Sequence, residues 1–238
     1  KRLKNHIIVV GDGSLAISYL RVLREHNRKI PVVVISNSSE PLLWDELKQN
    51  FGAIVVSGDI THEFFLRELR VERARKILLL DSNSLRSYEA ASVLLNLVPG
   101  IAGRVVIHCA NLRFMRAMAN TRVANSCHCF NTYHLAASGL VRSHMLHHFR
   151  ETHSKDVVIM AGFGRFGQTI LEELQRSAHG ELDRVIIIDK DAHRRVLVAD
   201  EQMEFSGDYH RELFEGDIAH PEVWDQVRGK ANVEGDNS

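Results

Sequence analysis

Short aliphatic runs recur along the chain, separated by longer stretches in which apolar positions fall three or four residues apart. Ile7-Ile8-Val9-Val10, Val32-Val33-Val34-Ile35, Ala53-Ile54-Val55-Val56, Lys76-Ile77-Leu78-Leu79-Leu80 and Arg104-Val105-Val106-Ile107 show no polar alternation. Strands covered on both faces need such runs, so the pattern predicts a parallel sheet. Between the runs lie Leu15 to Glu25, Pro41 to Asn50, Glu63 to Leu69, Leu85 to Leu97 and Leu112 to Asn120, each of crossover-helix length and bounded by turn formers. This β-α-β-α order predicts an α/β, doubly wound fold with ligands at the carboxyl ends of the strands.

The pattern then restarts. Val157-Val158-Ile159-Met160 leads into a glycine-rich turn, a helix at Gln168 to Gln175 and the run Arg184-Val185-Ile186-Ile187-Ile188. Gly11-Asp12-Gly13-Ser14-Leu15-Ala16 aligns with Gly162-Phe163-Gly164-Arg165-Phe166-Gly167, and Ser57-Gly58-Asp59-Ile60 with Glu215-Gly216-Asp217-Ile218. Landmarks repeated in one order predict two tandem Rossmann-like domains. The expected boundaries are 1–131 for the first, 132–154 for a linking helix and 155–238 for the second, which is incomplete here. After Asp217 only a helix near Pro221 to Val227 and a polar tail, Asn232 to Ser238, are expected. The linking helix, Thr132 to Phe149, has apolar residues at Leu135, Leu140, Val141, Met145, Leu146 and Phe149. That face either packs on its own domain or reaches a neighbouring subunit.

Composition narrows the classes. Thirty Lys and Arg offset 30 Asp and Glu, so no global basic field favours nucleic acid as a partner. With 45% hydrophobic and 25% charged residues the chain is of globular type. Its apolar runs are far shorter than the roughly 18 residues of a membrane-spanning helix. Three cysteines, Cys109, Cys127 and Cys129, suit a reducing compartment better than a disulfide scaffold, which points to an intracellular protein. The chain opens on Lys1 without Met or a signal-peptide pattern, and is read as a piece of something longer.

The chemistry concentrates in the second repeat. Gly162-x-Gly164-x-x-Gly167 follows a strand and opens a helix, and Asp189 ends the next strand. The first glycine permits the tight turn, the second lets backbone approach a pyrophosphate, the third allows close helix packing, and the helix N-terminus faces the phosphates. Asp189 would accept hydrogen bonds from ribose hydroxyls and disfavour a 2′-phosphate, so NAD(H) or an adenine nucleotide is expected. In the first repeat Gly11 and Gly13 are in place, but Asp12 sets a carboxylate beside the phosphate position, and the match to Asp189 falls near Ser36 or Asn37. Like charge weakens that site, which is either empty or holds an adenosine-type ligand anchored by Asp59.

With these residues in view, the chain resembles the RCK or KTN (TrkA-N type) domains, cytosolic regulators of potassium channels and of Trk-type and Kef-type potassium transporters. The resemblance rests on Gly-Phe-Gly-Arg-Phe-Gly at 162–167, on Asp189, and on Gly58-Asp59-Ile60-Thr61 with its counterpart Gly216-Asp217-Ile218-Ala219. It implies paired lobes assembled as a homo-oligomeric ring at the inner face of the cell membrane, which bind NAD(H) or ADP/ATP and gate a potassium-conducting pore in the same chain or a separate subunit. The binding residues it implies are Gly162, Phe163, Gly164, Arg165, Phe166, Gly167, Asp189, Lys190, Asp217 and Ile218, joined by Gly11, Gly13 and Asp59. Asp217 would lie at the adenine-ribose end, and the helix at Thr132 to Phe149 would be the crossover holding lobes together. No catalytic residues are implied. The competing readings are an NAD-dependent oxidoreductase, for which no acid-base pairing stands out, and a free-standing Trk-type uptake subunit.

Three clusters have bland alternatives. Cys127-His128-Cys129 beside His108-Cys109 could converge on a soft metal or simply be buried strand residues. His144, His147, His148 and His153 form either a solvated face or a pH-responsive interface. Glu40, Asp59 and Asp81 are candidate oxygen ligands for a divalent cation, or else caps and surface groups.

Overall fold

The computed structural model describes residues 3–152, 155–178, 180–203, 205 and 207–235, with side chains up to residue 229. His153 and the end of the tail, 236–238, lie outside them. The chain divides into two compact units, residues 1–132 and 133–238.

Unit 1 is a parallel sheet of β1 (Ile7–Val10), β2 (Val32–Ile35), β3 (Ile54–Val56), β4 (Lys76–Leu79), β5 (Val105–His108) and β6 (His128–Phe130), in the order β3-β2-β1-β4-β5-β6. The order reverses between β1 and β4, where a doubly wound sheet opens its ligand crevice. Helices α1 (Ser14–His26), α2 (Pro41–Phe51), α3 (Glu63–Glu68) and α4 (Ser84–Leu97) cover the sheet. Ile7, Val9, Val32 and Val34 pack with Leu20 and Leu47 on one face. Ile8, Val10, Val33, Ile77 and Ile107 pack with Leu66, Ala91 and Leu94 on the other. Two expectations need correcting. Ala53 to Val56 is not covered on both faces, because β3 closes the sheet edge and leaves Ile54 half exposed. The helix expected at Leu112 to Asn120 ends early as α5 (Leu112–Ala117), and a separate α6 (Arg122–Ser126) follows; Asn111 and Thr121 cap the two starts by accepting from Phe114 N and Ala124 N.

Unit 2 begins with the linking helix. It runs as α7 (Thr132–Leu140), a π-helical turn (Val141–Met145) and α8 (Leu146–Thr152), three residues beyond the expected end. Val141 and Phe149 are buried in the core of this unit with Val158, Met160, Phe163, Leu171 and Leu174. Leu135 and Leu140 stay exposed. Among the described residues the sheet holds β7 (Asp156–Ala161), β8 (Leu182–Asp189) and β9 (His210–Glu215), parallel and in the order β7-β8-β9. Three helices accompany it: α9 (Arg165–Ser177), α10 (Ala192–Met203) and α11 (Pro221–Gly235). The last runs past the expected Val227 and takes in the start of the tail read as polar coil. No expectation covered α10 or β9. Leu197 and Val198 of α10 are exposed and blur its period, while β9 is rich in charge.

A buried carboxylate fastens the linking helix to α9. Glu173, 1% exposed, accepts from Ser138 Oγ at 3.2 Å and Ser177 Oγ at 3.0 Å, and pairs with Arg176 and Arg142. Burial alone would raise its pKa, but the bonds from Ser177 and Arg176 outweigh burial and hold it below its ordinary value. Among the described residues no helix is long and apolar enough to cross a membrane.

Candidate functional site

The sheet registers place the two repeats on a common frame. Val10 pairs with Ile35 in unit 1 as Ala161 pairs with Ile188 in unit 2, so Gly11 matches Gly162, Asp12 matches Phe163, and Ser36 is the counterpart of Asp189. Gly11 and Gly162 both have left-handed backbone, with φ 108° and 95°. That conformation turns the chain at once from strand into helix and is open chiefly to glycine.

In unit 2 the turn is closed tightly. A Cβ on Gly167 would stand 2.7 Å from the carbonyl oxygen of Gly162, so the third glycine is demanded by packing. Gly164 is the N-cap of α9 and no side chain caps this end. The first N–H groups of α9 are therefore open to an anion. Asp189 is 7% exposed. Its Oδ2 accepts from Phe163 N at 2.7 Å, and its Oδ1 accepts from Asp191 N at 3.0 Å and pairs with Arg195 Nε at 3.1 Å. The carboxylate expected to be free for a sugar thus already ties the end of β8 to the glycine turn.

The other expected residues are spread around this centre. The Phe163 side chain is fully buried in the core, so only its backbone faces the turn. Arg165 and Phe166 are exposed on the first turn of α9, with Phe166 ring to ring at 6.5 Å from Tyr133. Lys190 pairs with Asp217 at 2.7 Å, and the Asp217 carboxylate also accepts from Ala219 N at 3.0 Å. Lys190 above all, then the Ala219 N–H, hold Asp217 below the usual carboxylate range. Ile218 is exposed, and its carbonyl accepts from Trp224 Nε1 at 2.8 Å.

Unit 1 carries the same frame with the charges exchanged. Asp12 on the turn accepts a short hydrogen bond from Ser36 Oγ at the end of β2. Gly11 abuts the chain just past β4, since a Cβ there would lie 3.0 Å from Asp81 N. The crevice of about 130 Å³ beside Gly11 is lined also by Asp12, Asn37, Asp81 and Arg86. Drug-sized ligand pockets are roughly 300 to 1,000 Å³. Asp59 does not stand free for an adenosine: it accepts from Thr61 N and Thr61 Oγ1, both at 2.9 Å, and from Arg86 at 3.2 Å. The Thr61 bonds first, then Arg86, hold its carboxyl at about 2. Arg86 and Arg195 were not singled out in the sequence. The first lies 27 residues from its partner Asp59, and neither position belongs to a glycine-turn pattern.

The remaining clusters resolve into ordinary structure. Cys109 and Cys127 are buried and Cys129 half-buried; all three have free thiols. Tyr88 donates to Cys129 Sγ at 3.4 Å. The neighbouring Cys109 thiol and the Tyr88 hydroxyl draw the Cys129 thiol below its ordinary value, while burial pushes Cys127 up to about 11. Among the described residues no group of three His, Cys, Asp or Glu is arranged to hold a metal ion. Asp81 accepts from Asn83 N, and His144, His147 and His148 lie on an exposed helix face.

Comparison with known proteins fits this geometry. The TrkA-N domain family matches residues 7–124 and 158–230, one segment in each repeat. Over 80 residues the chain is 34% identical to potassium channel protein 1 of Methanocaldococcus jannaschii, covering 33% of this chain and 22% of that protein. The structure of the GsuK channel bound to NAD aligns with a TM-score of 0.62 at 14% identity, over 94% of this chain and 51% of that one. GsuK bound to ADP aligns at 0.59 and 18%, over 94% and 50%. At these identities the likeness is one of fold. The chain spans about a fifth of the length of the archaeal relative and about half of the GsuK chain.

Proposed function

Because the chain belongs to the TrkA-N domain family, we propose that it is a nucleotide-sensing regulatory module of a potassium channel or transporter, with unit 2 as the working site. NAD(H) or ADP/ATP would lay its phosphates on the turn at 162–167. The module would assemble as a homo-oligomeric ring at the inner face of the membrane and act on a potassium-conducting pore. The potassium channel relative and the GsuK structures with NAD and ADP support the partner and the ligand class.

The observation that carries the reading is Gly164. Its φ of −72° is ordinary for any residue, and among the described residues outside its own neighbours a Cβ there would meet Arg195 Nη1 at 3.5 Å, an ordinary contact. The fold itself does not require glycine at this place. Close approach of a phosphate to the backbone does. Gly13 is equally unconstrained, but Asp12 and Asp81 line the crevice beside it, and phosphate there meets two carboxylates with one guanidinium already drawn to Asp59.

Such a module works by population shift. A ligand that prefers one conformation of the ring moves the equilibrium by its differential affinity, and about 5.5 kcal/mol converts 1:99 into 99:1. Several lobes in a ring can share that sum, so each site needs only a modest preference.

The test is thermal unfolding of the whole chain with NAD, NADH, ADP and ATP. A ligand at 100 times its Kd adds about 2.7 kcal/mol to stability. Gly164→Val is expected to leave the unliganded transition intact and abolish the ligand-induced shift, whereas Gly13→Val leaves the shift in place. A full shift in Gly164→Val would refute the assignment to unit 2.

A further inference from the structure

Resting on that reading of unit 2, we infer that Arg195 is a specificity-determining residue of the crevice: it holds Asp189 when the site is empty and exchanges that carboxylate for a ligand phosphate on binding.

Arg195 stands on the first turn of α10, fixed there by its backbone N–H donating to Asp191 O at 2.9 Å. From this position the side chain reaches back over the glycine turn. Nε is 3.1 Å from Asp189 Oδ1, and a Cβ built on Gly164 would stand 3.5 Å from Nη1. The guanidinium therefore spans the two features a nucleotide would use, the sugar-binding acid and the backbone where phosphate approaches. Spending Nε on the acid leaves Nη1 and Nη2 with no further hydrogen-bond partner among the described residues. These two donors form the fork that matches a phosphate.

Crowding at Oδ1 of Asp189 favours the exchange, because that oxygen already takes both the Asp191 N–H and Arg195 Nε. Asp189 is 7% exposed and already takes hydrogen bonds from Phe163 N and Asp191 N besides the ion pair to Arg195. The two backbone bonds belong to the turn and the start of α10. Arg195 is the partner that can leave, because its side chain is 41% exposed and long. A ribose hydroxyl that takes its place on Oδ1 releases a guanidinium beside the phosphate path, where an anionic ligand gives it a new charged partner. A nucleoside without phosphate gives Asp189 a hydroxyl in exchange but offers the freed guanidinium no anion. Nucleotides replace one charged partner by another. The residue thus selects phosphorylated over phosphate-free adenosine compounds.

The experiment measures the Kd of ADP and of adenosine for the whole chain and for Arg195→Ala, by calorimetry. The ratio of adenosine Kd to ADP Kd is expected to fall by at least about tenfold in Arg195→Ala, the size of one lost charged hydrogen bond. ADP should bind more weakly and adenosine no less tightly, since Asp189 is then free. A ratio that falls by less than about fivefold overturns the proposal, and so does an equal loss for both ligands, which marks Arg195 as merely structural. Arg195→Gln, which keeps a donor toward Asp189, guards against misfolding and should show the same fall. Wild-type chain that binds neither ADP nor adenosine defeats the nucleotide reading itself, whereas wild type that binds ADP while the variants keep the wild-type ratio defeats only the role of Arg195.

Discussion

The two units solve one local problem with opposite chemistry. Each must fasten the residue after its first glycine to the end of the neighbouring strand. Unit 2 places the carboxylate on the strand, at Asp189, and answers it with the backbone N–H of Phe163. Unit 1 places the carboxylate on the turn, at Asp12, and answers it with the hydroxyl of Ser36. The scaffold is equally well closed in both. What differs is where the negative charge faces, and with it whether a phosphate meets helix N–H groups or an acid. Duplicated lobes can thus keep a fold while dividing its duties.

The comparison is most open to attack at the exchanged positions themselves. Phe163 is fully buried in unit 2, so Phe163→Ala should cost about 3–5 kcal/mol in denaturant unfolding, while Asp12→Ala at the matching place should cost no more than about 1–2. Equal costs would mean that the two turns are not equivalents. The third position of the turn comes next. Gly167→Ala drives a Cβ against the Gly162 carbonyl and should destabilise unit 2 by about 1–3 kcal/mol, whereas Ala16→Gly in unit 1 should cost only about 1. The smallest effect is electrostatic. Asp59 has its folded-state pKa held at about 2, below its ordinary value of 3.8, so its stabilising share is present above pH 4 and fades as pH falls toward 2. Stability curves of the wild type and Asp59→Asn should converge over that window. Asp217, depressed in the same direction by Lys190, should behave likewise in Asp217→Asn.

Much of the fold was legible because burial on both faces leaves a plain trace. The apolar runs at Ile7, Val32, Lys76 and Val105 are all strands, and the repeated glycine landmarks align the two units from sequence. Where an element is half exposed the trace fades. β9, His-Arg-Glu-Leu-Phe-Glu, carries charges and has a single fully buried residue, Phe214, and α10 interrupts its apolar stripe with exposed Leu197 and Val198. The glycine turn was legible for a similar reason, since each glycine answers a local geometric demand. Partnerships made by long side chains were not. Arg195 reaches Asp189 from the next helix, and Arg86 reaches Asp59 from a helix 27 positions on. Spacing along a chain carries no record of a reach that depends on rotamers and on where helices come to lie.

The wide turn at Val141–Met145 explains how the linking helix is seated. Leu146 N–H donates to Val141 O, five residues back, instead of the usual four. Positions eight apart on a regular helix drift by roughly 80° around the axis. Unwinding one turn absorbs that drift and brings Val141 and Phe149 closer to one line facing the same core. The segment holds one residue more than its buried stripe can use, and the surplus is stored as girth instead of being passed along as a rotation of everything that follows.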